Sequence, residues 1–366
     1  MRVRIAQEGS TGAYRQSVSA TALRRLFLIL VCCVPDVWPH TAGAASSETA
    51  KREYELGLQR VQQGAADDAI RDFKKAVALD PHLADAHYQL GLLLLHEKKS
   101  SKEAAAAFRQ AVSANPQLAE AHHELALLAL NEGNVREAEQ GLEHVIKLAP
   151  QREQAYLDLA KLYERTHASE RAEAVYAALL KVNGEHPEAL YRLASLSDAR
   201  GDSHAAEGYL ERLLSLRPGH SDAWYLKGRI AEKNNNLTEA ASAYREALRA
   251  KPDLIDARFN LAFILRSQGK LEEAAREFLE VIIIKPEHAE AHMNLGLIYT
   301  TMHKLDDAER EYEAAVNLNP NLIEAHYNLG VFYELHRKDL PRALAQYRRY
   351  RELGGRDERV DRIVGQ

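Results

Sequence analysis

A period of about 34 residues runs through this 366-residue chain and limits its fold more than any other feature. A Leu-Gly or Leu-Ala pair returns in one context at Leu56-Gly57, Leu90-Gly91, Leu125-Ala126, Leu159-Ala160, Leu193-Ala194, Leu261-Ala262, Leu295-Gly296 and Leu329-Gly330. The doubled gap between Leu193 and Leu261 is filled by Lys227-Gly228, where Lys stands for Leu, so nine units result. Twelve or thirteen residues after each small residue comes an alanine: Ala69, Ala104, Ala138, Ala172, Ala206, Ala240, Ala274, Ala308 and Ala343. Four further on stands a large side chain: Phe73, Phe108, Leu142, Tyr176, Leu210, Tyr244, Phe278, Tyr312 and Tyr347. Most units close on proline, at Pro81, Pro116, Pro150, Pro218, Pro252, Pro286 and Pro320.

Apolar residues at i, i+3, i+4 and i+7 within each half-unit predict two amphipathic helices per unit. A turn separates them, often marked by Gly or Asn (Gly64, Gly133, Gly201, Asn235, Gly269). Gly inside a helix costs roughly 0.5–1 kcal/mol against Ala, so its recurrence at one position points to close packing there. The closing Pro cannot continue a helix. One helix pair cannot bury its apolar face alone, and stacked pairs can. Single-residue insertions fall near Ser100 and Lys338, and the fourth unit has Gly184 where others have Pro.

The pattern closely resembles the tetratricopeptide repeat family. Trp224, Gly228, Ala240, Tyr244, Ala247 and Pro252 follow its consensus in one unit, and Leu295, Gly296, Tyr299, Ala308, Tyr312, Ala315 and Pro320 in another. The resemblance implies an all-α, right-handed superhelical solenoid of tandem helix-turn-helix repeats. The units are 50–83, 84–118, 119–152, 153–186, 187–220, 221–254, 255–288, 289–322 and 323–356, with a linker at 45–49 and a capping segment at 357–366. It further implies a protein- or peptide-binding scaffold, with the first helix of each unit lining a concave groove through unit positions 2, 5, 6, 9, 12 and 13.

Read at those positions, the units differ. Position 9 is apolar in the first three (Leu58, Leu92, Leu127), polar in the middle three (Lys161, Ser195, Arg229) and apolar again in the last three (Phe263, Leu297, Val331). Position 6 is Asn in the last three (Asn260, Asn294, Asn328), beside Phe259, Met293 and Tyr327 at position 5. An asparagine offers both donor and acceptor, so a ladder of them suits the backbone of an extended peptide, with the apolar neighbours as pockets. This resembles the inner-surface ladder of O-linked N-acetylglucosamine transferase repeats. The clamp lysines of chaperone-binding repeats are absent from positions 5 and 9 of these units, which speaks against a C-terminal carboxylate as ligand. Acids fill position 2 in seven units and suit the helix N-termini.

Other constellations point away from chemistry. Four histidines recur at position 4 (His87, His122, His292, His326), where an aromatic usually packs, and His288-x-Glu290-x-His292 is not the zinc-protease order. The only cysteines are Cys32 and Cys33, so the repeats have no thiolate for zinc. Neither cofactor, metal nor catalytic residue is expected. Arg348, Arg349, Arg351 and Arg356 read as a solvated face, and Asn236-Leu237-Thr238 is a formal glycosylation sequon. The net charge is −5, and the first 44 residues hold five Arg against two acids, leaving the remainder at −8. That charge, with no basic stripe, disfavours nucleic acid.

Arg24-Arg25, the apolar run Leu26–Val34 and the small residues of Thr41–Ser46 read as a signal peptide ending near Ala44. Nine apolar residues fall short of the roughly 20 that span a bilayer. The expectation is export to a periplasmic or secreted location, with a retained membrane anchor as the alternative. Function on this reading is a non-enzymatic adaptor. The alternatives are an assembly component of an envelope machine (pilus, secretion or polysaccharide export) and a substrate-recruiting partner of an enzyme acting in trans.

Overall fold

The computed structural model describes residues 42–365, and all regular structure there is helical. The leader read over 1–44 lies outside the described residues except for its last three positions. Nineteen helices follow one another. They are α1 (Ala42–Gln62), α2 (Ala66–Leu79), α3 (Ala84–His96), α4 (Ser101–Ala114), α5 (Ala119–Asn131), α6 (Val135–Leu148) and α7 (Glu153–Arg165). Next come α8 (Ser169–Val182), α9 (Pro187–Arg200), α10 (Ser203–Leu216), α11 (Ser221–Lys233), α12 (Leu237–Ala250) and α13 (Ile255–Ser267). The last are α14 (Leu271–Ile284), α15 (Ala289–Thr301), α16 (Leu305–Leu318), α17 (Ile323–Phe332), α18 (Leu340–Glu352) and α19 (Glu358–Val364). Odd-numbered helices up to α17 are the first of each pair, even-numbered helices the second. The architecture is an all-α repeat solenoid.

Each pair interlocks at one point. A Cβ added to Gly91 of α3 would lie 2.5 Å from Phe108 of α4, and one on Gly228 or Gly330 would lie 2.5 Å from Tyr244 or Tyr347. The aromatic ring thus occupies the space that a side chain at unit position 8 would need. The third unit reverses the arrangement: Ala126 holds position 8, and Gly141 of the facing helix gives way, its added Cβ 2.8 Å from Ala126. The alanines from Ala69 to Ala343 are fully buried, as are Phe73, Phe108, Tyr176, Tyr244, Phe278 and Tyr347. A core of this kind is continuous from pair to pair, since each second helix also packs on the next first helix.

The turn within each pair has a fixed form. An amide after the first helix bonds back to the carbonyl five residues earlier, as in Asn134 to Ala129 (2.8 Å) and Asn236 to Ala231 (2.8 Å). This closure places one residue per unit in the left-handed region: Gly64, Lys99, Gly133, His167, Gly201, Asn235, Gly269, His303 and Lys338. The two insertions lengthen the closure by one residue, so that Ser100 bonds to Leu94 and Asp339 to Tyr333, each at 2.9 Å. In the ninth unit the extra residue is absorbed as a π-helical turn, Tyr333–Arg337.

Neighbouring units are also latched. The side chain at unit position 4 donates to the carbonyl of the previous unit's closing proline: His87 to Pro81 (3.0 Å), His122 to Pro116 (3.0 Å), Tyr156 to Pro150 (3.1 Å) and Trp224 to Pro218 (2.7 Å). Arg258 to Pro252 (2.8 Å), His292 to Pro286 (3.0 Å) and His326 to Pro320 (3.1 Å) complete the series. A carbonyl only accepts, so Nε2 of each of these histidines carries its proton. The junction without a closing proline, at Gly184, has Leu190 at position 4, which has no donor to offer. At the C-terminus, Asp357 caps α19 by accepting from the amides of Arg359 and Val360, and Val360 is fully buried.

Candidate functional site

The face built by the first helices carries the expected groove positions, and its three thirds are chemically distinct. Near the N-terminal end, His123 is buried and its Nε2 lies 2.8 Å from Asp158 of the next first helix. Arg152 reaches both Glu120 (3.2 Å) and His123 Nδ1 (3.4 Å). Burial in this cluster pushes the Glu124 carboxyl above its ordinary range, a shift that His123 and His96 oppose.

In the middle, successive first helices are tied by ion pairs. Lys161 meets Glu188 (2.9 Å), Arg192 meets Glu164 (3.8 Å), and Asp198 receives both Lys233 (3.3 Å) and Arg229 (3.7 Å). Two of the three polar residues at position 9 are therefore paired within the protein: Lys161 and Arg229 hold neighbouring units together. Acids at position 2 share this work, Glu120 and Glu188 among them.

The C-terminal third is different. Phe263 is 43% exposed; among the large exposed apolar side chains described, it and Leu335 (48%), in the π-turn that continues α17, are the two carried by the first element of a pair. Phe259, Met293, Leu297, Tyr327 and Val331 are half-buried along the same face. Phe259 stacks on His288 at 5.0 Å, and Tyr327 donates to Asp357 (3.4 Å). The ladder of asparagines is uneven. Asn260 donates to the Tyr244 hydroxyl (3.3 Å) and remains half-buried. Asn294 is 5% exposed and turns back to donate to the Glu290 carbonyl of its own helix at 2.7 Å. Asn328 is half-buried, with its amide free of any such intramolecular bond among the described residues. Three equivalent rungs are thus not what the fold presents: Asn294 is withdrawn, because an Asn side chain four residues past a carbonyl can satisfy itself on it.

A second regularity lies beneath this face. In units six, eight and nine, position 12 bonds to the tyrosine at position 24 of the paired helix: Glu232 accepts from Tyr244 (2.8 Å), Glu334 from Tyr347 (2.5 Å), and the hydroxyls of Thr300 and Tyr312 meet at 3.3 Å. Burial, reinforced by the acid, drives the Tyr244 and Tyr347 phenols far up, and burial pushes Tyr312 up to about 12. In the first two units position 24 is Phe and position 12 is Val61 or Leu95. Units three and five have Leu142 and Leu210 at position 24, and unit seven has Arg266 at position 12 with Phe278 at position 24. That mismatch was visible in the sequence as a cation twelve residues before a phenylalanine.

Three further histidines cap helices. Nδ1 of His186, His220 and His288 accepts from the backbone amide three residues on, capping α9, α11 and α15. Asn236, the sequon residue, caps α12 through Glu239. Of the C-terminal arginines, Arg349 meets Glu352 (3.1 Å) and Arg351 meets Asp361 (2.9 Å), whereas Arg348 and Arg356 are exposed. Among the described residues no group of three or more His, Cys, Asp or Glu could hold a metal ion, and no helix is long and apolar enough to cross a membrane.

Models of the tetratricopeptide repeat match residues 57–96, 84–118, 119–152, 157–202, 191–255, 264–302 and 289–322, reaching almost without a break from the first unit to the eighth. The chain belongs to the tetratricopeptide repeat family. Solved structures that it resembles include YrrB, described as a tetratricopeptide repeat protein with an unusual peptide-binding site (21% identity, 51% of this chain and 96% of that one, TM-score 0.44). Others are PilF of Pseudomonas aeruginosa (21%, 57% and 94%, TM-score 0.46) and a tetratricopeptide repeat protein of Parabacteroides merdae (19%, 68% and 97%, TM-score 0.46). No curated protein matches the chain. As a tetratricopeptide array, the protein is a protein-interaction scaffold.

Proposed function

We propose that the protein is an exported, non-enzymatic adaptor that binds an extended segment of a partner protein on the first-helix face of units seven to nine. One observation carries the choice of site. Charged groove side chains of the middle units pair with one another, whereas units seven to nine leave Phe263 exposed and Asn328 without an intramolecular partner among the described residues, beside half-buried Asn260 and apolar neighbours. Polar amides among apolar pockets suit peptide backbone without demanding one sequence. Phe259, Asn260, Phe263, Met293, Leu297, Tyr327, Asn328 and Val331 form the surface, with Asn294 turned back onto its own helix. Export rests on the leader read at Arg24-Arg25 and Leu26–Val34.

The test is selection of extended peptides from a displayed random library, followed by affinity measurement on Phe263→Ser and Asn328→Ala variants. Selected peptides should weaken about tenfold on Phe263→Ser, the scale of an aromatic anchor losing its contact. Peptides that bind both variants as well as the parent protein would refute the placement. Recovery of the native protein only from cytosol would refute export.

A further inference from the structure

Three cations on the groove positions are half-buried: Lys161, Arg192 and Arg266. The first two have acids at 2.9 and 3.8 Å. Arg266 has no carboxylate within ion-pair distance among the described residues. Burial lowers its pKa, and the titratable group that acts on it is the neutral phenol of Tyr312. At unit position 12, where units six, eight and nine place an acid or a hydroxyl bonded to a tyrosine, unit seven carries Arg266, and its paired helix carries Phe278 in place of the tyrosine. Its guanidinium lies 4.8 Å from the centre of the Phe263 ring, the exposed aromatic of this face.

A half-buried guanidinium without a carboxylate is under-compensated, because part of its water has been withdrawn and only the face of the Phe263 ring stands in its place. The carbonyl end of α13 offsets part of that through its partial negative charge. It does not use the planar fork of donors, which matches a carboxylate. Arg266 is half-buried rather than buried, so part of its surface stays open to solvent.

We propose that Arg266 and Phe263 form an acidic-residue subsite: an Asp or Glu side chain within the bound segment pairs with Arg266, and an apolar neighbour of that residue packs on Phe263. This rests on the peptide-binding reading above and adds the chemistry of one ligand position. The paired groove cations of units four to six are excluded as alternatives, since each already has an acid. The occupant is an internal side chain, in keeping with the absence of clamp lysines for a chain terminus.

The experiment uses the purified protein and the library-selected peptides. Selection should enrich Asp or Glu at one fixed position beside an apolar residue. In a double-mutant cycle, Arg266→Gln in the protein and Glu→Gln (or Asp→Asn) in the peptide should each weaken binding about tenfold or more, and the second change should add little to the first. Arg266→Lys should retain part of the affinity, and raising salt should weaken the acidic peptide more than its amide. Amidating the peptide C-terminus should change nothing. Unfolding midpoints of both variants check folding, and the peptide-side change tests the claim on the unaltered protein. Selected peptides that need Phe263 but show no acidic preference would overturn the subsite and leave the groove reading standing. An acidic preference unchanged by Arg266→Gln, or affinity lost on amidation instead, would also overturn it. A library that yields no binder would overturn both.

Discussion

Replacing one glycine by alanine should stabilise this protein at one site and destabilise it at another, with the sign set by a single ring. Gly208 lies within α10, is exposed, and an added Cβ would meet nothing within 4 Å. Gly208→Ala therefore gains the full helix-propensity difference, about 0.5–1 kcal/mol. Gly91 lies within α3 with the Phe108 ring in the way: the new Cβ would stand 2.5, 2.7 and 3.0 Å from three ring carbons. Phe108 is fully buried, so the ring cannot swing out without opening the pair. Overpacking of this kind costs about 1–3 kcal/mol, which outweighs the same propensity gain and leaves a net loss of about 1–2 kcal/mol. The fifth unit, with Ala194 facing Leu210, indicates the remedy. Gly91→Ala combined with Phe108→Leu should lose less than the sum of the single changes, with a coupling of about 1 kcal/mol. Urea unfolding followed by far-UV circular dichroism, with hydrogen exchange on α3 and α4 to localise the effect, gives the four corners of the cycle. A Gly91→Ala variant at least as stable as the parent, or a cycle additive to within about 0.3 kcal/mol, would refute the interlock.

Three further outcomes follow from the same geometry. His167 (φ 57°) and His303 (φ 58°) sit in the left-handed region, so His167→Gly and His303→Gly should each raise stability by about 0.5–1 kcal/mol, whereas Gly269→Ala should lower it by about 1 kcal/mol; thermal midpoints decide. His292 bonds to Glu311 at 2.6 Å, and that bond raises its pKa above the ordinary histidine value near 6.5. Its contribution is thus fully present below about pH 6.5 and fades as pH rises through the raised folded-state value, so the midpoint lost in His292→Gln should be larger at pH 6 than at pH 9. Trp224→Phe removes the bond to the Pro218 carbonyl and should cost about 0.5–1.5 kcal/mol, read as faster hydrogen exchange at the junction of α10 and α11.

The solenoid was legible because its determinants are periodic: a small residue followed at fixed spacing by a large one recurs nine times, aromatic in seven units and Leu in two, and chance does not supply that. The latch from position 4 to the closing proline was written in the same rows and still escaped the reading. Its histidines looked like packing residues, and only the fold brings His87, Tyr156, Trp224 and Arg258 to one kind of acceptor. The exception at Leu190, following a junction with Gly184 in place of Pro, was the available signal. Insertions at Ser100 and Lys338 were locatable, but their form was not. One opens an ordinary turn and the other a π-turn, a difference of local hydrogen bonding that residue identity does not specify. Asn294 failed as a rung for a similar reason, since choosing between a ligand and the Glu290 carbonyl is a rotamer decision made by packing.

The groove's chemistry follows from where intramolecular satisfaction runs out. Each first helix must dispose of polar side chains at positions 2, 6, 9 and 12 on a face that its neighbours partly cover. In units four to six the signs alternate between neighbours, so Lys161 finds Glu188 and Arg229 finds Asp198, and a ligand there would have to separate pairs before gaining contacts. From unit seven onward the alternation ends. Position 9 turns apolar, position 6 turns to Asn, and position 12 passes from Glu232 to Arg266 to Thr300, so Arg266 meets no acid from either side. A partner segment bound there displaces water alone and breaks no ion pair. It can also supply a carboxylate to Arg266, the half-buried groove cation that has none within ion-pair distance among the described residues, which is why an acidic residue in the ligand is the discriminating prediction for this surface.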